Sequence, residues 1–248
     1  VLVCVWARRV GLTSRYVKEK ASYEDVQILV NNKVDVCDAK SFRLGRSQPA
    51  PNVKDFLKLE DIRKWLNRYS NPLGGLVTYP DTHEWRVGSD AYLYCTNKEC
   101  PTVMLPYIYL AAILYFKCNG SFDENRLENL WDYKRLFPQP FDKKILGGNK
   151  IPYWKTINKE LVNILGIDKQ IFANVIDSYN NVKIQCIREY VKSLSEYRQE
   201  MVERIVDECN SMETDNVRKE LANYRIRTET KNIDEFIDRI HKYRLKSE

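Results

Sequence analysis

Residues 102–118 (TVMLPYIYLAAILYFKC) carry one charged side chain, in a chain of 248 residues of which 30% are charged. A helix over 105–118 would be apolar on every side, and such a helix has to be surrounded by the rest of the fold. Pro106 suits its first turn. The run is shorter than the ~20 apolar residues that span a bilayer, so it is expected to form a central core helix with other elements packed around it.

Helical spacing recurs on both sides of this run. Phe56, Leu59, Ile62, Leu66 and Tyr69 form one stripe, with Asn52 as the predicted cap. Ser22-Tyr-Glu-Asp25 resembles a capping box, and Val26, Leu29 and Val30 would face inward from a short helix ended by Asn31-Asn32. On a helix Arg8 and Arg15 would share a face, with Lys18 three residues beyond Arg15. Ser121 to Glu124 opens a helix with Leu127, Leu130 and Trp131 inside. Ile157, Leu161, Ile164 and Leu165 mark another, and Asp168 caps the next. A long helix is expected over about 182–210, followed by two shorter ones.

Evidence for β-structure is thinner. Residues 76–79 and 85–87 flank a five-residue loop and predict a hairpin, to which 92–95 would add a strand. Val34 and Val36 alternate with charged residues, a brief strand. The expected fold class is therefore mainly α: a helical, bundle-like globular body with a small β-hairpin at about 76–95 and a C-terminal helical hairpin or tail. Asn71-Pro-Leu-Gly-Gly75 reads as a boundary. The predicted division is a basic N-terminal region 1–75, a core region 76–180 and a tail 181–248, with one compact domain as the alternative.

Seven cysteines, an odd number without the spacing of a disulfide framework, favour a reducing, intracellular setting, cytoplasmic or nuclear. Residues 1–7 lack the flanks of a signal peptide. Cys95 and Cys100 could form half a zinc site, but the second pair is missing, and His83 and Cys118 do not complete a standard spacing. They are read as free thiols. Asp81, Glu84 and Asp90 are read as solvated loop acids rather than ligands of a divalent ion. The two histidines, His83 and His241, have no local partner for nucleophilic chemistry, and Gly147-Gly148 lacks the spacing of a phosphate loop. No cofactor, no metal and no catalytic residue is predicted.

The net charge of +6 lies wholly in the first third: residues 1–75 hold 14 Lys/Arg against 8 Asp/Glu. A localised excess points to a polyanion. Arg8, Arg9, Arg15, Lys18, Lys20, Arg43 and Arg46 are the candidate phosphate contacts, and Trp6, Tyr16 and Phe42 the candidate stacking residues. The expectation is a non-enzymatic, RNA-binding structural protein, nucleoprotein- or coat-like. Single-stranded RNA is its expected partner, self-association would run through the C-terminal helices, and no membrane is involved. Two alternatives stand beside it: a protein-interaction scaffold built on those helices, and an enzyme using the region from His83 to Cys118.

Overall fold

A computed structural model describes residues 1–19, 22–40, 58–79, 97, 99–120, 122–137, 150–211 and 214–242. Its described residues form two compact units, one reaching Tyr179 and one beginning at Asn180.

The first unit is organised by a five-stranded sheet, not by a helical bundle. Helix α1 (Leu2–Val10) ends at Gly11, whose φ of 106° is the left-handed value that glycine adopts at a helix C-terminus. Strands β1 (Thr13–Tyr16), β2 (Val26–Val30) and β3 (Lys33–Ala39) follow as antiparallel neighbours. Helix α2 (Leu59–Leu66) leads to β4 (Pro72–Tyr79), and β5 (Thr102–Pro106) completes the order β1-β2-β3-β4-β5. Both β4 and β5 run parallel to β3.

The mainly-α expectation is thereby overturned, for identifiable reasons. Residues 26–30 were expected to be helical, yet Val26, Ile28 and Val30 are buried while Gln27 and Leu29 are half-buried, which is the two-residue period of a strand. Asn31-Asn32 does not end a helix. Both residues have positive φ (50° and 61°) and close a two-residue hairpin between paired Val30 and Lys33. Residues 102–106 belong to β5, every residue of which is buried. A strand covered on both faces is a continuous apolar run, which periodicity cannot tell from a buried helix.

Residues 76–79 are indeed extended, but as the end of β4, the strand between β3 and β5. The remainder of the expected hairpin lies outside the described residues. Gly74-Gly75 is no boundary. A Cβ at Gly74 would run into Trp131 and the Pro101 carbonyl, and one at Gly75 into Ile62 of α2. The glycine pair lets an element approach each face of β4.

The apolar helix is present as α3 (Tyr107–Asn119), with Pro106 at its N-cap. A 3-10 helix (Glu124–Trp131) is capped by Asp123, whose side chain accepts from Asn125 N at 3.0 Å. It buries Leu127, Leu130 and Trp131 as expected. Short helix α4 (Tyr133–Leu136) and helix α5 (Lys150–Leu165) follow. The predicted face of α5, with Ile157, Leu161, Ile164 and Leu165, is buried. Tyr153 fastens α5 to β5, its hydroxyl accepting from Met104 N at 2.8 Å.

Helix α6 (Lys169–Asn210) opens with Gln170 N donating to Asp168 at 2.6 Å. It ends where expected but starts earlier, so one 42-residue helix replaces two. In the second unit its later turns pair with α7 (Asp215–Lys242), a single helix where two were expected. Arg198 meets Asp234 at 2.6 Å, Arg225 meets Glu208 at 2.9 Å, and Ile205, Cys209 and Ile240 are buried.

Candidate active site

Strand β3 ends in Asp38-Ala39, and Lys40 follows. Residues two apart on an extended strand share a face, so Asp38 and Lys40 meet: Nζ lies 2.6 Å from Oδ2. Asp38 is buried and the Lys40 side chain half-buried. The backbone is fixed on both sides of this pair. Lys40 N donates to Thr78 O at 2.8 Å, and the Tyr107 hydroxyl donates to Lys40 O at 3.2 Å.

Asp25 completes the group from the neighbouring strand. The β2–β3 ladder is regular up to Val26↔Cys37. Beyond it, Asp25 N donates to Cys37 O at 3.0 Å, and the Asp25 carboxylate accepts from Ala39 N at 2.8 Å. Asp25 is therefore bound to both residues that flank Asp38. Its own carbonyl accepts from Val17 N at 3.1 Å, which ties in the end of β1.

The group stands where β3, β4 and β5 all finish and α3 begins. In open α/β sheets the carboxyl ends of parallel strands are where ligands bind, because the chain diverges there. Burial pushes the Asp38 carboxyl above the ordinary carboxylate value. Lys40 pulls it back through charge and hydrogen bond, Asp25 raises it by like charge, and Lys58 lowers it. The Cys37 thiol, fully buried, is pushed well up by burial and by Asp35, Asp38 and Asp25, so it stays neutral. Tyr107 is raised by burial and then by Cys37 and Asp25.

The described members of the basic cluster expected from the sequence fall on two elements. Arg8 and Arg9 lie in the last turn of α1, whereas Arg15 and Tyr16 lie on β1, so no helix joins Arg8 to Arg15. Arg8 donates to Ser14 O at 3.0 Å, and the Trp6 indole donates to Leu110 O at 2.7 Å, so both serve the fold. Arg15 and Tyr16 lie on β1, which runs towards Asp25, Lys18 follows two residues after its end, and Tyr16 is exposed. Lys20, Phe42, Arg43 and Arg46 lie outside the described residues, as do His83 and Cys95. Cys4, Cys37, Cys100, Cys118, Cys186 and Cys209 are free thiols. Among the described residues no three His, Cys, Asp or Glu side chains gather as a metal cage.

Sequence reasoning missed Asp25, Asp38 and Lys40. The available signal was an acid and a lysine two apart at the end of a valine-rich strand, facing one way. The capping-box pattern of Ser22-Tyr-Glu-Asp25 masks it, because that pattern predicts a helix start where the chain enters β2.

An acid pair with a lysine stands at the carboxyl ends of the parallel strands, a set of groups chemically suited to a phosphate ester. The family model described as HindIII restriction endonuclease matches residues 1–222, and the chain belongs to that family. A comparison with curated proteins gives no match. Restriction endonucleases are enzymes that hydrolyse DNA, so the expectations of a non-enzymatic protein and of an RNA-binding, coat-like one are both overturned. A nucleic-acid partner stands, but it is DNA and not single-stranded RNA. No helix among the described residues is long and apolar enough to cross a membrane.

Proposed function

We propose that this chain hydrolyses phosphodiester bonds of duplex DNA, with Asp25, Asp38 and Lys40 as its catalytic residues. The observation that carries the reading is the arrangement of an ionisable acid and a lysine 2.6 Å apart with a second acid bound to the flanking backbone. Phosphoryl chemistry needs charge stabilisation and positioning more than a protein nucleophile.

The donor set fits a divalent cation. Two carboxylates lie close enough that Asp25 raises the Asp38 pKa, a repulsion that a cation between them would relieve. Hard cations such as magnesium commonly take one or two carboxylates and leave the other positions to water and phosphate oxygens. Asp25 and Asp38 would hold the ion, and it would supply an electrophile for the phosphate oxygens and acidify a bound water.

The chain's own residues do the rest. Burial favours the protonated form of Asp38, and Lys40 Nζ, donating to it, works against that rise. Lys40 places a cation on the face of the sheet where Asp38 points, able to hold a phosphate oxygen or orient the attacking water. Ala39 N–H fixes the orientation of the Asp25 carboxylate. Arg15 on β1 and Lys18 just past its end contact the DNA backbone in this reading. A duplex has two strands to cut, and the exposed Tyr197, Val217 and Tyr224 of the α6–α7 hairpin are the surface we assign to a second copy.

The test is incubation of the purified chain with long mixed-sequence duplex DNA and magnesium. Discrete fragments from the parent protein and none from Asp38→Ala are expected. Intact DNA with the parent, or an unchanged pattern with Asp38→Ala, would sink the reading.

A further inference from the structure

Asp38 is held inside the β3–β4 ladder, opposite Val77. Asp25 is not: it is exposed, it lies one residue outside β2, and the segment before it belongs to no strand. Its bonds to Cys37 O, Val17 N and Ala39 N hold it on one side, and on the other the chain enters through residues 22–24.

Those three residues are each engaged by side chains from the end of α2. The Trp65 indole and the Arg68 guanidinium both donate to Ser22 O, at 2.9 and 2.7 Å. The Arg68 guanidinium also lies 3.9 Å from the centroid of the Tyr23 ring. The Tyr69 hydroxyl donates to Glu24. Positions 65, 68 and 69 have the i, i+3, i+4 spacing that puts side chains on one helical face. The turn continues past Leu66, with Arg68 N bonded to Trp65 O and Tyr69 N to Leu66 O.

Two features set this contact apart from ordinary packing. Ser22 has a φ of 66°, a left-handed conformation rare outside glycine, asparagine and aspartate. Such strain persists where surrounding contacts over-determine it, and it clusters at functional sites. Glu24 is buried, and its Oε2 has no hydrogen-bond partner, only Arg68 at 3.9 Å. Burying a carboxylate is costly, and an apolar residue would anchor the segment without that cost. Tyr69 is held protonated, its pKa pushed up to about 12 by burial and then by the Glu24 carboxylate. It is thus a permanent donor.

We propose that Tyr69 and Glu24 form a latch between α2 and the start of β2 that positions Asp25 for the reaction. The proposal rests on the active-site reading above. Neither residue touches the reacting atoms; both act through the backbone that delivers the Asp25 carboxylate to Ala39 N–H.

The experiment uses a short duplex carrying the site mapped from the digest described above. Steady-state kinetics, duplex affinity without divalent cation and thermal unfolding are measured for the parent, Tyr69→Phe, Glu24→Gln and Asp38→Ala. Misplacement of a catalytic group by about 1 Å costs on the order of 100-fold. Tyr69→Phe is therefore expected to lower kcat about 10- to 100-fold, with KM and duplex affinity within about twofold. Glu24→Gln keeps an acceptor for the Tyr69 hydroxyl and is expected to retain most of kcat. An unchanged kcat in Tyr69→Phe overturns the latch. So does a loss of kcat that only follows the folded fraction, with duplex affinity falling alongside. Cleavage by Asp38→Ala would instead bring down the active-site reading itself.

Discussion

Strand β3 carries two buried aspartates three residues apart, Asp35 and Asp38, and they have opposite fates. Burial raises the pKa of both. Asp38 has Lys40 at 2.6 Å and stands at the strand's end. Asp35 sits mid-strand beside a register shift, on the opposite face, and neither of its oxygens has a hydrogen-bond partner. It borders a cavity of about 10 Å³ together with Trp6, Ile28, Leu76, Ile113 and Trp131. The donors nearest to hand are already used, since the Trp6 and Trp131 indoles give their N–H groups to Leu110 O and Gly75 O. A buried acid beside a cation is drawn back towards its charged form, whereas one among apolar side chains has burial alone acting on it, which favours the proton and costs stability.

The same chemical change at both positions would break or uphold this contrast most strongly. Asp38→Asn removes the charge that the reaction needs and is expected to cost on the order of 1,000-fold or more in kcat. Asp35→Asn is expected to leave the cleavage rate within about twofold. Equal losses in single-turnover assays would mean that the two acids work together.

Lys40→Met turns Asp38 into a second Asp35. Beyond a loss of about 100-fold or more in rate, the acid limb of the pH–rate profile should move to higher pH. Lys40 lowers the Asp38 pKa, and cleavage needs the ionised acid. A limb that stays in place would assign it to another group.

Stability should separate the two sites next. Asp35 has a folded-state pKa above its unfolded one, so its contribution is fully present below the unfolded value of about 4 and is lost as pH rises through the folded value. Asp35→Val is expected to stabilise the protein by about 1–3 kcal/mol at neutral pH. The gain should shrink as pH falls towards 4, read as a shift in urea midpoint at constant slope. A destabilised valine variant would show that Asp35 has a role that its surroundings do not reveal.

The smallest effect belongs to Lys58. It is exposed just before α2 and lowers the Asp38 pKa from a distance. Lys58→Met should move the acid limb upward by less than Lys40→Met does, and added salt should erase the difference. Persistence at high salt would mean that Lys58 contacts the DNA.

What the sequence determined by itself was mostly helical. The buried faces of α5 and of the 3-10 helix, the end of α6 and the apolar α3 were all readable, because a 3.6-residue period shows which side meets the core. The first-third charge excess pointed correctly to a nucleic acid. Part of β3 and the end of β4 were readable as strands, but not their parallel pairing, and β5 was not readable. Every residue of β5 is buried, so it lacks a period, and only its pairing partner reveals it. The site was hidden for the same reason. Asp25 and Asp38 lie 13 positions apart in sequence and become neighbours through a two-residue asparagine turn and an antiparallel register. Local pattern states which residues can be buried. Which acid then finds a lysine and which finds only hydrocarbon is decided by tertiary packing, because burial and partner together set a carboxylate's charge.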